Sequence, residues 1–291
     1  MKIKVILLSC LMAVLMSACN SVEDWDDALL TIDCQFKPYT LTAEPDTLRY
    51  EISLIGPESY TINATLGDII DIPVAVGDYK MNVNAFVGTT KKGIGGIAFK
   101  VTAGPNKTFM AGVGFTKIYT SVGEPGPCGG RIFYINEDGF RVYTSATDTV
   151  GIICHYLEAA TADLGPFRWA NTYPSIKGTL ADIGAGRKNT AIILAAHTSN
   201  ADAFAANACK NYGTTGDWYL PSTKELNLLY DHRGAIGGFT TTSSGSWYWS
   251  SVHVGNILNY KMACYFYNGS MENIEVMNSG ISCRVRPIRA F

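Results

Sequence analysis

The stretch from Gly216 to Tyr230, GDWYLPSTKELNLLY, brings together the side chains that most resemble a catalytic signature. Its spacing has a structural explanation, because Ser222 is followed three residues later by Glu225, the pattern of a helix capping box. Apolar residues then recur at helical spacing and predict a buried helix face: Leu226, Leu229 and Tyr230. We therefore expect this stretch to begin a helix rather than to carry out catalysis.

Other catalytic patterns are missing from the sequence. It contains no GxSxG or HExxH motif, and the glycine-rich IGAGRKNT lacks the spacing of a phosphate-binding loop. We expect Asn189 of this segment to cap a helix. The four histidines are scattered along the chain: His155, His197, His232 and His253. The sequence therefore predicts no enzyme activity and no cofactor.

The region from Trp247 to Asn268 is rich in aromatic residues, asparagine and serine, the mixture that recognition surfaces use. Rings supply rigid contact faces, and the polar groups supply adaptable hydrogen bonds. We expect Trp247 or Trp249 to be buried, because alternation must send some of these rings inward. The candidates for ligand binding at the surface are Tyr248, Asn256, Asn259, Tyr260, Tyr267 and Asn268.

Two arginines near the carboxyl end, Arg284 and Arg286, are expected to share one strand face. Paired guanidinium groups bind sulfate or carboxylate well, so both residues are ligand-binding candidates. A salt-bridged surface explains the same pair equally well, and the sequence leaves that alternative open.

The amino terminus has the features of a secretory signal: two lysines, a short apolar run and small residues before Cys19. Leu15–Cys19 resembles the lipobox of bacterial lipoproteins, which implies a signal peptide over residues 1–18 and acylation of Cys19. The acidic stretch that follows is expected to be a tether over residues 19–30, similar to the export signals of surface lipoproteins. We expect the protein to be anchored by lipid in the outer membrane and exposed at the cell surface.

The formal net charge of −2 gives no basic surface for a polyanion, so we expect no nucleic-acid partner. Of the eight cysteines, six remain once Cys10 leaves with the signal peptide and Cys19 is acylated. An exported protein permits disulfides among these six, and none of them has CxxC spacing.

Residues 31–118 alternate in short runs broken by Gly, Pro and Asp, which predicts an all-β sandwich domain. In YKMNVNAFV, one strand face is predicted to hold Tyr79, Met81, Val83, Ala85 and Val87. The stretch VAVGDYKMNVNAF resembles a strand and turn of transthyretin-like and fimbrillin-type modules. The Gly- and Pro-rich GEPGPCGG then predicts a domain boundary near Ile118.

Beyond that boundary, six segments occur together: GEPGPCGGRIFYIN, LEAATADLGPFRWAN, IGAGRKNTAIILAA, ANACKNYGTTGDWYLPSTKELNLLY, WYWSSV and CRVRPIRAF. In this order they resemble the Lcl C-terminal-domain family, named for a collagen-like bacterial adhesin, over residues 119–291. The resemblance implies an α+β C-type-lectin-like domain, preceded here by the all-β sandwich domain. Known members are secreted or at the cell surface, and some bind host glycans.

The chain departs from this family at Cys128, where the family usually has Ala, and at Cys154, which lies in an insertion. A Cys128–Cys154 bridge is one hypothesis. Cys209 and Cys283 resemble the helix-to-final-strand disulfide of lectin-like folds, which leaves Cys264 with Cys34 or unpaired.

A calcium-dependent sugar site of the lectin kind uses a Glu-Pro-Asn or Gln-Pro-Asp triplet and a Trp-Asn-Asp triplet. The sequence contains none of these triplets. Glu272, Asn273 and Glu275 supply oxygen atoms, but a solvated strand edge explains them as well. We expect no metal site, with calcium left open as an alternative.

These inferences together predict an adhesin with a lectin-like domain that binds a glycan or a surface protein. The alternative is an anchoring or tip subunit of a fimbria, with fimbrial subunits as partners. A third interpretation is an enzyme on the related formylglycine-generating fold, whose reactive cysteine pair has no match here.

Overall fold

The computed structural model describes residues 27–34, 48–109, 114–170, 176–197, 204–254, 260–276 and 280–291. Cys19, Asn256 and Asn259 lie outside the described residues. The chain forms two compact units, one ending at Lys117 and the other comprising Ile118–Phe291. In the described residues, the first unit forms β-strands, and the second combines β-strands with the helices.

The described part of the first unit contains eight strands. They are β1 (Asp27–Asp33), β2 (Leu48–Ile55), β3 (Ser59–Thr65), β4 (Ile69–Ala75), β5 (Gly77–Val87), β6 (Thr90–Val101), β7 (Gly104–Phe109) and β8 (Gly114–Thr116). One sheet has the order β4-β1-β7, and the other has the order β3-β2-β5-β6-β8.

Alternating side chains from both sheets build the core of this unit. In β5 the predicted inward face is confirmed, because Tyr79, Met81, Val83 and Ala85 are fully buried. They pack with Leu30 and other residues of the three-stranded sheet in one cluster. Two sheets that share one apolar core in this way form a β-sandwich.

The strand β1 begins at Asp27, four residues before the predicted start of the sandwich at residue 31. Residues 27–30, assigned to the tether from the sequence, therefore belong to the first sheet. The reason is the alternation of Ala28, Leu30 and Ile32, all of which are buried in the core. The acidic residues nearby concealed this pattern in the sequence.

The second unit contains strands and short helices. They are β9 (Arg131–Val142), β10 (Ile152–Ala159), β11 (Pro166–Phe167), α1 (Gly186–Ala195), α2 (Ala205–Lys210), α3 (Thr223–Asp231), α4 (Arg233–Ile236), β12 (Trp247–His253), β13 (Tyr260–Tyr265), β14 (Ser270–Glu275), β15 (Cys283–Arg284) and β16 (Ile288–Ala290). One sheet has the order β16-β10-β9, and the other has the order β11-β15-β12-β13-β14.

The five-stranded sheet is covered on both faces, and successive side chains of β12 show this directly. Tyr248 packs into a cluster that includes Leu226 and Leu229 of α3. Trp249 packs into a second cluster, with Ile193 of α1 on the opposite face. The sheet is thus the middle layer of this unit at β12.

The predicted capping box at the start of α3 is confirmed. Ser222 accepts a hydrogen bond from the backbone N–H of Glu225, whose carboxylate accepts one from the Ser222 backbone N–H in return. Asn189 does not cap α1, which begins earlier, at Gly186. Its buried side chain instead holds the loop at Leu180, since the amide both accepts from and donates to that backbone.

Candidate functional site

A row of three aromatic rings lies at the end of the five-stranded sheet. The rings of Trp247 and Tyr265 are stacked, with centroids 4.6 Å apart and an interplanar angle of 15°. Tyr267 continues the row 5.7 Å from Tyr265, at an angle of 42°. Trp247 and Tyr265 are half-buried, whereas Tyr267 is 57% exposed. We call these three residues the aromatic row.

The pairing register of β12, β13 and β14 determines the position of the aromatic row. Trp247 of β12 lies directly opposite Tyr265 of β13, and Tyr265 lies opposite Ser270 of β14. Side chains directly opposite one another share a face and lie within contact distance. Tyr267 follows in the turn between β13 and β14, so its ring emerges where the sheet ends.

Hydroxyl and amide groups surround the aromatic row. The exposed loop before β12 has the sequence TTSSG, and Tyr265 donates a hydrogen bond of 2.7 Å to the Ser243 carbonyl in it. On the other side, Ser270 donates to Glu272 Oε1 at 3.1 Å, and Asn268 is exposed in the turn. Rigid rings bordered by short polar side chains form a surface suited to recognition.

Tyr248, predicted to be at the surface, is fully buried. Its hydroxyl donates to Asp163 Oδ2 at 2.7 Å and accepts from the Thr240 backbone N–H. Burial, followed by the hydrogen bond to Asp163, raises the pKa of Tyr248. The prediction was wrong because the sheet is covered on both faces, so alternation could not tell an exposed face from a buried one.

Arg286 is also a correction, because it is buried rather than available to a ligand. Its guanidinium pairs with Asp163 at 2.7 Å and donates to the carbonyls of Ala160, Gly237 and Gly238. The five N–H donors of this rigid group thus join residues 160–163 and residues 237–238 to the strand end that carries Arg286.

Arg284, the other arginine candidate, is half-buried and donates to the Gly245 carbonyl at 2.9 Å. It also lies 3.6 Å from Asp163, on the Tyr248 side of the sheet and opposite to the aromatic row. The two arginines do not form an open anion site, since β15 ends at Arg284 and both side chains bind the same carboxylate.

Of the remaining candidates, Tyr267 and Asn268 lie together at the row, and Tyr260 is half-buried at the start of β13. Sequence reasoning included Trp247 and Tyr265 among the aromatic residues but did not select them as surface candidates. The signal that identifies them is their direct pairing across two strands, which depends on the register of β12 and β13.

Two buried glutamates explain the glycine-rich motifs. Glu158 accepts backbone N–H groups of Cys128 and Gly130, the latter at 2.7 Å. Glu225 accepts the N–H of Gly184 at 2.9 Å. A Cβ at Gly130 would lie 2.3 Å from the Ala159 carbonyl oxygen, so this position requires glycine. The glycines allow the chain to wrap around a buried carboxylate.

Burial raises the pKa of the Glu225 carboxyl to about 7, even though hydrogen bonds from Ser222 and Gly184 act in the opposite direction. Tyr219 contributes a further, longer hydrogen bond at 3.4 Å. The carboxylate has no exposed surface, so it holds the starts of α1 and α3 together and does not face a ligand.

No disulfide joins any of the described cysteines. Cys128 Sγ contacts Arg289 Nη1 at 2.6 Å, while Cys154 is buried in the core beneath α3. Cys209 and Cys283 are both buried in the cluster around Trp249 but are not bonded. Burial raises the pKa of both thiols, to about 12 for Cys283, so both remain protonated.

Among the described residues, no group of three His, Cys, Asp or Glu side chains is arranged to hold a metal ion. Within the same residues, no helix has the length and apolar character needed to cross a membrane.

Comparison with known proteins gives one distant similarity. No family model and no curated protein matches the chain. Among solved structures, it is similar to a fimbrial protein from Bacteroides ovatus ATCC 8483, with a TM-score of 0.39 and 11% identity. The match covers 91% of this chain and 70% of that chain. At this TM-score the similarity carries no argument about function.

Proposed function

We propose that the chain is a lipoprotein of the outer membrane, exposed at the cell surface, whose C-terminal unit binds a glycan or a surface protein. Cys19 carries the lipid anchor, and the first unit serves as a spacer. The C-terminal unit has a C-type-lectin-like fold, as the resemblance of its motifs implies. The protein is an adhesin without catalytic activity.

The aromatic row carries this proposal. Tyr267 exposes more of its ring than the other described aromatic residues of the chain, and it lies among hydroxyl and amide groups. Tyrosine and tryptophan are enriched among the residues that contribute most to binding energy at recognition surfaces. On the opposite face of the sheet, Arg286 binds Asp163 and donates to the Gly238 carbonyl, which fixes the loop that leads into β12.

A glycan-array screen of the mature chain tests the proposal. We expect specific binding that calcium or EDTA does not change, since the described residues offer no metal site. The Tyr267→Ala variant should lose the signal, and Tyr143→Ala, a half-buried tyrosine next to the three-stranded sheet, should keep it. If wild type binds no glycan, a pull-down of surface proteins tests the protein ligand; failure of both contradicts the proposal.

The second candidate function, a fimbrial subunit, is favoured by one observation in the first unit. The strand β3, SYTINAT, lies at the edge of the five-stranded sheet and contains neither a charged residue nor proline. Edge strands without such residues readily pair with another chain. A Thr61→Pro substitution should abolish co-purification with fimbrial subunits if β3 is the assembly edge, and recovery of the same subunits would exclude that edge.

A further inference from the structure

The charges around the aromatic row select among the glycans that it could bind, an inference that rests on the proposed function. We infer that the row binds an uncharged glycan through the apolar face of a sugar ring and excludes sulfated and other anionic glycans. The open face belongs to Tyr267, because Trp247 and Tyr265 each use one ring face on the other.

Ring chemistry favours a sugar. The face of an aromatic ring carries partial negative charge, and the C–H groups of a sugar ring carry partial positive charge, so the two attract each other. The hydroxyl groups of the sugar then need donors and acceptors at the rim. The TTSSG loop, Asn268 and Glu272 provide both kinds of group. Glu272 Oε2 makes no hydrogen bond to the described residues, which leaves an acceptor for a sugar hydroxyl.

A protein partner is less well suited to this surface because the apolar area is small. A stable protein interface buries about 800 Å² on each partner. In the five-stranded sheet and its turns, the described large apolar side chains that are exposed are Tyr267 and, before β15, Ile281. Two separate side chains supply far less apolar area, whereas one ring is enough to stack on one sugar.

The negative charge at the row is Glu272. By alternation along β14 it lies on the same face as Ser270, which is opposite Tyr265. Glu272 is exposed and forms no ion pair with the described residues. An anionic group placed on the row would therefore approach a carboxylate.

The nearby cations cannot offset that charge. Arg284 lies on the opposite face of the sheet and is paired with Asp163. Lys261 shares the face of the row, but it is buried with its ammonium over the Trp169 ring at 4.6 Å. Burial lowers the pKa of Lys261 to about 8.

Two other cations lie next to this sheet: Arg233 stacks on Tyr230 on the α3 side, at 3.9 Å from the ring centroid, and Arg168 is exposed. Arg168 follows β11, which is separated from β13 by β15 and β12. Three strand spacings amount to about 14 Å, and charges separated by more than about 8 Å in physiological salt are largely screened. Within the described residues of β12, β13 and β14, the face that carries the row thus holds one exposed carboxylate and no exposed lysine or arginine.

The test compares unsulfated oligosaccharides with their sulfated forms on one array, using the mature chain at low and high salt. We expect at least a tenfold preference for the unsulfated forms, because one repelled charge near the surface is worth roughly this factor. Raising NaCl from about 0.05 M to about 0.5 M should change binding less than twofold, since no ion pair forms. Arg168→Ala should bind like wild type, and Tyr267→Ala should not bind.

The outcomes separate the inference from the function on which it rests. Binding restricted to sulfated forms, lost at high salt or in Arg168→Ala, would overturn the inference and leave the adhesin function standing. Binding to unsulfated forms that Tyr267→Ala retains would also overturn it, because the ligand would then lie elsewhere. If the mature chain binds neither sulfated nor unsulfated glycans, both the glycan-binding function and the inference are contradicted.

Discussion

Asp163 organises the side chains behind the aromatic row. Its two oxygen atoms accept hydrogen bonds from Tyr248 and Arg286, and Arg284 lies within ion-pair distance. Arg286 also stacks on Phe239, with its guanidinium carbon 3.7 Å from the ring centroid. A buried charge that is both paired and hydrogen-bonded is stable, but removal of its partner leaves the other charge uncompensated.

Replacement of Arg286 should therefore be strongly destabilising. We expect Arg286→Leu to lower the free energy of unfolding by about 3–5 kcal/mol, because Asp163 would keep its charge in a buried site. Arg284→Ala is the matched control and should cost about 1 kcal/mol or less, since that side chain is partly exposed. Urea unfolding of both variants checks this, and equal losses would refute the assignment of Arg286 as the buried partner.

Glu225 should make stability depend on pH. Its pKa is about 7 in the folded protein against 4.5 for an ordinary glutamate carboxyl, so the folded state binds the proton more tightly. The stabilisation from this group is thus fully present below pH 4.5 and is lost as the pH rises through 7. The difference in unfolding free energy between wild type and Glu225→Gln should fall by on the order of 3 kcal/mol between pH 4.5 and pH 8.

That difference is obtained from urea unfolding of both proteins at the two pH values. A difference that stays constant with pH would show that Glu225 is ionised throughout, as an exposed capping residue would be.

At the scale of elements, the segment from Gly126 to Gly130 is shaped by the Glu158 carboxylate. Gly130→Ala should lower the unfolding free energy by about 1–3 kcal/mol, because its Cβ would meet the Ala159 backbone. Gly234 is a suitable control, since a Cβ there has open space and the residue lies in α4. Gly234→Ala should be neutral or stabilising by up to about 1 kcal/mol. Thermal unfolding distinguishes the two, and equal effects would exclude the steric explanation.

Local patterns in the sequence predicted some elements well. The capping box gave the start of α3, and alternation gave the inward face of β5, because each depends on residues a few positions apart. The exposure of Tyr248 could not be predicted in this way. Whether a strand face is covered depends on distant segments such as α3, and the residue pattern of the strand does not show whether such a segment packs on it.

The aromatic row was only partly predictable for the same reason. Tyr267 and Asn268 were identified because the sequence around them mixes aromatic residues with asparagine and serine, as recognition surfaces do. Trp247 and Tyr265 belong to the row through the register of β12 and β13, which the residue pattern of either strand alone does not specify. Arg286 failed as a candidate because its partner, Asp163, is 123 positions away in the chain.

For the whole molecule, the proposed anchor makes a separate prediction. Cys19→Ser should move the protein from the membrane fraction to the soluble fraction, because the acyl chains hold it far more firmly than any polar contact would. Growth of the cells with a radioactive fatty acid, followed by fractionation, checks this. A Cys10→Ser variant is the control and should remain acylated and membrane-bound. Retention of Cys19→Ser in the membrane, without label, would show that another contact holds the protein there.

In the proposed function, the first unit is a spacer and the second unit binds the ligand. The measurement that tests the binding surface most directly is the Kd of the mature chain for a glycan found on the array, compared among wild type, Tyr267→Ala and Tyr143→Ala. We predict that Tyr267→Ala weakens binding at least tenfold, or about 1.4 kcal/mol, while Tyr143→Ala binds within twofold of wild type. Equal affinity for all three proteins would contradict the assignment of the aromatic row as the binding site.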